Sequence, residues 1–175
     1  MKWSRFLLVI LVVMLLDAGQ WMQILAVGPQ QIRPDLLLIA LVFFAGNCAA
    51  GEAMYASFLI GLAADLSSEG SVIGPCLLSF GVFGTLLSQI RRVVMIHRFV
   101  FQALTIFVTA LLVLPSMYLL IYAKTRQGLS HPATAILGGA VYTAAVGPIL
   151  WKLLSILGGW LGFHQPPPYA MRRYV

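Results

Sequence analysis

The chain is 175 residues long, 61% apolar and only 9% charged, with a mean hydropathy of +0.94 and a net charge of +6. Soluble domains are about 45–50% apolar and about 25% charged, so 11 Lys+Arg and 5 Asp+Glu are too few to solvate a surface, and the hydropathy excludes intrinsic disorder. The class that remains is an all-α integral membrane bundle, in which the basic excess sets orientation rather than binding nucleic acid.

Six apolar stretches follow in chain order: residues 6–27, 36–50, 53–66, 72–90, 99–122 and 133–157. Of all the Asp, Glu, Lys and Arg residues, only Asp17, Asp65 and Lys152 fall inside them. A hydrocarbon slab imposes that segregation, since a charge at mid-bilayer costs about 2.5–3.5 kcal/mol on insertion scales. Continuous apolar runs specify helices; a barrel would alternate every second residue.

The first stretch begins after Lys2 and Arg5, is too long for a signal-peptide core and has no A-x-A site, so it reads as a retained span. Asp17 sits near its midpoint with Gln20 and Gln23 on the same side. Such a residue marks either a polar contact between helices or an ion path. The ion path would need partner carboxylates or histidines at that depth. Gly28-Pro29 closes this span and Arg33-Pro34-Asp35 opens the second.

The second and third stretches are shorter than the about 20 residues a crossing needs. They are either tilted partners or a re-entrant hairpin, separated by turns at Gly46-Asn47 and Gly51-Glu52. The fifth carries a polar seam, Arg98, Gln102, Thr105, Thr109 and Ser116, with Pro115 expected to kink it. Small residues recur every four positions: Ala49, Ala53, Ser57 and Gly61 lead to Asp65, and Ala135, Gly139, Thr143 and Gly147 line the sixth stretch. Such ridges let helix backbones approach closely. The ridge from Ala53 and the seam from Gln102 are candidate partner interfaces, together with Asp17 and Gln20, and the Gly139–Thr143 ridge is a candidate homodimer contact.

Joints are short, so residues 1–175 read as one integral-membrane domain with a basic, proline-rich tail at 164–175. Lys2, Arg5, Arg91, Arg92, Arg98, Arg172 and Arg173 fall on one side and Arg33, Lys124 and Arg126 on the other, which places both termini in the cytoplasm. Cys48 and Cys76 have no metal-ligand spacing, and no nucleophile, base and oxyanion set assembles from the motifs. Neither cofactor nor metal is expected, and neither is catalysis.

Arg33-Pro34-Asp35-Leu36-Leu37-Leu38, then Phe58-Leu59-Ile60-Gly61-Leu62-Ala63-Ala64-Asp65-Leu66-Ser67-Ser68, then Gly74, resemble in order and spacing the MreD family of bacterial rod shape-determining membrane proteins. Pro75 and the proline-rich tail depart from the family pattern. The resemblance implies a non-enzymatic scaffold of the cell-elongation complex in the inner membrane. It would work with the bitopic MreC, the actin-like MreB, RodA and its transpeptidase, and so position peptidoglycan synthesis. It also implies a fold similar to the six-helix S-components of ECF transporters. Pro34, Asp35, Gly61, Asp65 and Gly74 are the motif residues. Asp65 is expected to cap or bond a neighbouring helix, and Gly61, one turn earlier, to let that helix approach. The alternative is a substrate-binding S-component; against it, Met22 stands four residues after Ala18, where an A-x-x-x-A contact is wanted.

Overall fold

The computed structural model describes residues 3–19, 34–67, 74–90, 99–125 and 132–161. Gln20, the second half of the first apolar stretch, Arg91, Arg92, Arg98 and the tail lie outside them. The described residues form helices and no strands: α1 Trp3–Ala18, α2 Leu36–Asn47, α3 Ala50–Ser67, α4 Pro75–Ile90, α5 Phe99–Thr125 and α6 Pro132–Leu161. Within α5 and α6, Val100–Lys124 and Ile136–Leu157 are long and apolar enough to cross a membrane, at mean hydropathies of 2.3 and 1.6. α5 runs as one helix through Pro115, and α6 through Pro148.

α2 is the centre of the bundle. Every residue from Leu37 to Ala45 is buried, and α1, α3, α4, α5 and α6 all pack on it. A helix covered on all sides has no need of a polar face, which accounts for its uninterrupted apolar sequence. At 1.5 Å per residue α2 extends only about 18 Å, against a hydrocarbon core of about 30 Å.

Around α2 the helices pair as antiparallel neighbours, most extensively α3 with α4 and α5 with α6. Edge-to-face ring contacts tie the start of α1 and the start of α3 to one end of α2. Phe6 meets Phe44 at 4.8 Å and Trp3 meets Tyr55 at 6.4 Å, while Phe43 meets Trp151 of α6 at 5.2 Å. The outward faces of α5 and α6 are leucine, valine and isoleucine, among them Leu104, Val108, Leu119, Val141, Ile149 and Ile156.

Several boundaries differ from the sequence reading. Gly51-Glu52 is no turn: Cys48 N–H donates to Phe44 O at 2.9 Å, Ala53 N–H donates to Ala49 O at 2.7 Å, and α3 has already begun at Ala50. Glu52 therefore occupies the first turn of α3, where a negative charge complements the helix dipole. α4 starts at Pro75 rather than at residue 72. Proline at the first helical position loses no hydrogen bond, because that N–H has no intrahelical acceptor anyway.

Candidate functional site

Three of the motif residues converge where α3 meets α4. Gly74 has φ +124°, a conformation that favours glycine, and its carbonyl accepts the first bond of α4 from Leu78 N–H at 3.0 Å. It is thus the N-cap of α4, but glycine has no side chain with which to cap the free amides behind it. Asp65, in the last turn of α3 and buried, supplies the missing acceptors. One carboxyl oxygen accepts from Cys76 N–H at 3.0 Å, and the other from Gly74 N–H at 3.0 Å and Leu77 N–H at 2.9 Å.

The arrangement is capping from a neighbouring helix. An acidic group at a helix N-terminus meets both the unpaired amides and the positive end of the dipole. Pro75 removes the one amide in this turn that Asp65 does not reach, so the proline that departs from the family pattern fits the clamp's geometry. Gly61 sets the distance. A Cβ there would stand 2.7 Å from Leu77 Cα and 2.9 Å from Cys76 O, both backbone atoms of α4.

Below the clamp the same interface continues as a ladder of small residues. A Cβ on Gly81 would strike the Phe58 ring, and one on Gly84 would strike Ser57. Ser57 is buried and donates to Ala53 O at 2.7 Å. Ser57 and Gly61 of the ridge expected to receive a partner's helix therefore lie against α4 of the same chain. Ala53 and Ser57 are 0% and 1% exposed within the chain.

Asp35 organises a second joint. Its side chain accepts from Leu38 N–H at 2.8 Å as the N-cap of α2, while its own N–H donates to Thr143 Oγ1 of α6 at 3.1 Å. Pro34, buried just before it, leads the chain into that cap. Thr143 is 1% exposed. Of the sixth-stretch ridge, Thr143 and Gly147 are buried and Gly139 is half-buried; a Cβ on Gly147 would run into Ile106, and one on Gly139 would meet Leu114 at an ordinary 3.5 Å. Asp17 is half-buried in the last turn of α1.

Along the polar seam of α5, Thr109 is buried and Gln102, Thr105 and Ser116 are half-buried. Thr105 Oγ1 donates to Phe101 O and Thr109 Oγ1 to Thr105 O, each at 2.7 Å. Ser116 Oγ donates to Val113 O at 2.7 Å and to Ser79 Oγ at 3.3 Å. Gln102 is half-buried near the start of α5. Among the described residues no buried side-chain nitrogen or oxygen lacks a hydrogen-bond partner, and no three His, Cys, Asp or Glu residues group as metal ligands.

Sequence reasoning found Gly61, Asp65 and Gly74 but not their partners, the amides of Cys76 and Leu77. The available signal was Gly74-Pro75 ahead of an apolar run, the sequence mark of a helix start. A family model described as rod shape-determining protein MreD matches residues 1–157 of the chain. No curated protein and no solved structure matches.

Proposed function

The chain belongs to the MreD family of rod shape-determining proteins, and from that premise we propose that it is a non-enzymatic membrane scaffold of the cell-elongation complex. In this reading it binds the single membrane helix of MreC and helps to position peptidoglycan synthesis. MreB, RodA and the elongation transpeptidase form the wider assembly. The bundle is one multi-pass unit of the inner membrane with both termini in the cytoplasm, and its architecture is of the S-component kind without transport.

The observation that carries the proposal is the use to which Asp65 is put. The most chemically capable residue of the motif has both carboxyl oxygens engaged by backbone amides of the same chain. A group so engaged holds two helices together; it is not presented to a substrate. In this reading MreC docks on the outward apolar faces, where α1 offers Leu8, Leu11 and Leu15 and α6 offers Val141, Ile149 and Ile156.

The test is affinity purification from native membranes with mass spectrometry, combined with photo-crosslinkers at Leu11 and Ile149. Recovery of MreC, crosslinked from one of these faces, supports the scaffold. Absence of MreC from the purified material, or turnover of a substrate by it, rejects the proposal.

A further inference from the structure

α3 and α4 are too short for the bilayer that α5 is long enough to cross. From Glu52 in its first turn to Ser67 at its end α3 rises about 22 Å, and α4 rises the same from Pro75 to Ile90. The hydrocarbon core is about 30 Å thick, and Val100–Lys124 of α5 covers about 36 Å. The shortfall falls at one end of the bundle. Cys76, in the first turn of α4, meets the Met117 sulfur at 3.4 Å, yet α5 runs on to Thr125, about 12 Å further. Leu119 and Tyr122 are exposed along that extension. On the other flank Leu66 is 59% exposed one residue before α3 ends, so this helix end opens outward. Backbone leaving a helix is not tolerated in hydrocarbon unless protein surrounds it, which sets the headgroup level on this flank at the Asp65 clamp.

We propose that the protein thins the bilayer along its α3–α4 flank, where the leaflet on the Asp65 side is drawn in by about 8 Å relative to its level on α5. The outward face of the two short helices then takes shortened acyl chains. Three features select lipid as the element that adapts. The opposite end is anchored, because Trp3 and Tyr55, both exposed, pair edge-to-face at 6.4 Å, and such aromatic residues hold the headgroup level. The shortfall is therefore not shared between leaflets. A short span is otherwise matched by snorkelling, but the last turn of α3 holds no basic residue whose stem could reach a headgroup at ordinary height. A partner's helix of crossing length would carry its final turns past the ends of α3 and α4, whereas acyl chains tilt and disorder to fit.

The experiment places a nitroxide on the full chain in dioleoylphosphatidylcholine vesicles, through Leu66→Cys or Leu119→Cys. Cys48 and Cys76 are buried and stay unlabelled, and both new positions are exposed, so the labels leave the core alone. The two stand at nearly the same height in the bundle, because Asp65 bonds the first turn of α4 and Cys76 in that turn touches Met117. Accessibility to oxygen against an aqueous nickel chelate reads their depth. The Leu66 label should read at the headgroups and the Leu119 label about 8 Å deeper. A label at Leu78, exposed near the start of α4, repeats the reading from the second helix and should also lie shallower than Leu119. The gap should close in dimyristoleoyl vesicles, whose bilayer is already thin, and widen in dierucoyl ones. Equal depths in dioleoyl vesicles, or a gap indifferent to chain length, would overturn the proposal. Loss of access to both reagents at Leu66, or spin–spin broadening there, means that protein covers the flank and overturns it as well.

Discussion

Gly61 and Leu77 pack so closely that a single added methyl on the first would stand 2.7 Å from the Cα of the second. Neither side can yield cheaply, because the atoms met are main-chain atoms of α4 held by their own helix. Gly61→Ala should therefore lower stability by about 1–3 kcal/mol, the usual cost of overpacking. Gly51, with nothing within 4 Å of its absent Cβ, is the control; there alanine should leave stability unchanged or raise it by roughly 0.5–1 kcal/mol. Thermal unfolding in detergent compares the two, and equal melting temperatures would contradict the close contact.

Asp65 should show a graded response. Asn keeps one acceptor oxygen and turns a donor towards amides that also donate, while Ala leaves the amides of Gly74, Cys76 and Leu77 without their acceptor. Each buried donor left unpaired costs about 1–3 kcal/mol, so the order of stability should be Asp, then Asn, then Ala. Amide hydrogen exchange at Cys76 and Leu77 reads the same loss locally, with faster exchange confined first to the start of α4.

The Asp35–Thr143 bond links residues 108 positions apart. Thr143→Val keeps the shape but removes the acceptor for the Asp35 N–H, and should cost about 1–3 kcal/mol. Thr143→Ser should restore most of it. If Val and Ser variants melt alike, the hydroxyl carries no weight in joining α2 to α6.

Gly139 is predicted to tolerate alanine, since the new Cβ would meet Leu114 at an ordinary 3.5 Å. Gly147→Ala, four residues beyond Thr143, should instead destabilise, because its Cβ would run into Ile106. Melting of the two variants separates a ridge packed on α5 from one reserved for a second copy, which would make both substitutions alter dimerisation and leave the monomer's stability alone.

The apolar stretches were legible because charge is excluded from helices in a hydrocarbon slab, and each described helix overlaps one of them. What the pattern could not reveal was which apolar neighbour covers a given face. A leucine looks the same against lipid as against protein, so the small-residue ridge reads as an open groove although α4 lies against its Ser57 and Gly61. The motif spacing identified Gly61, Asp65 and Gly74, yet it treated Pro75 as a departure, because a cap donated by another helix leaves no local sequence mark. Turn residues misled at Gly51-Glu52 for the converse reason. Ala49 provides the first carbonyl of α3, and a glycine followed by an acid is as acceptable in a helix's first turn as in a loop.

Asp65 holds α3 to α4 through the amides of Gly74, Cys76 and Leu77. The most direct measurement is rod-shape complementation by Asp65→Asn, scored against the amount of folded protein in the membrane at several growth temperatures. Cell shape and MreC recovery should follow the folded fraction, returning towards normal wherever the variant accumulates. An Asp65→Asn protein that is abundant, folded and bound to MreC, yet never restores rods, would contradict it.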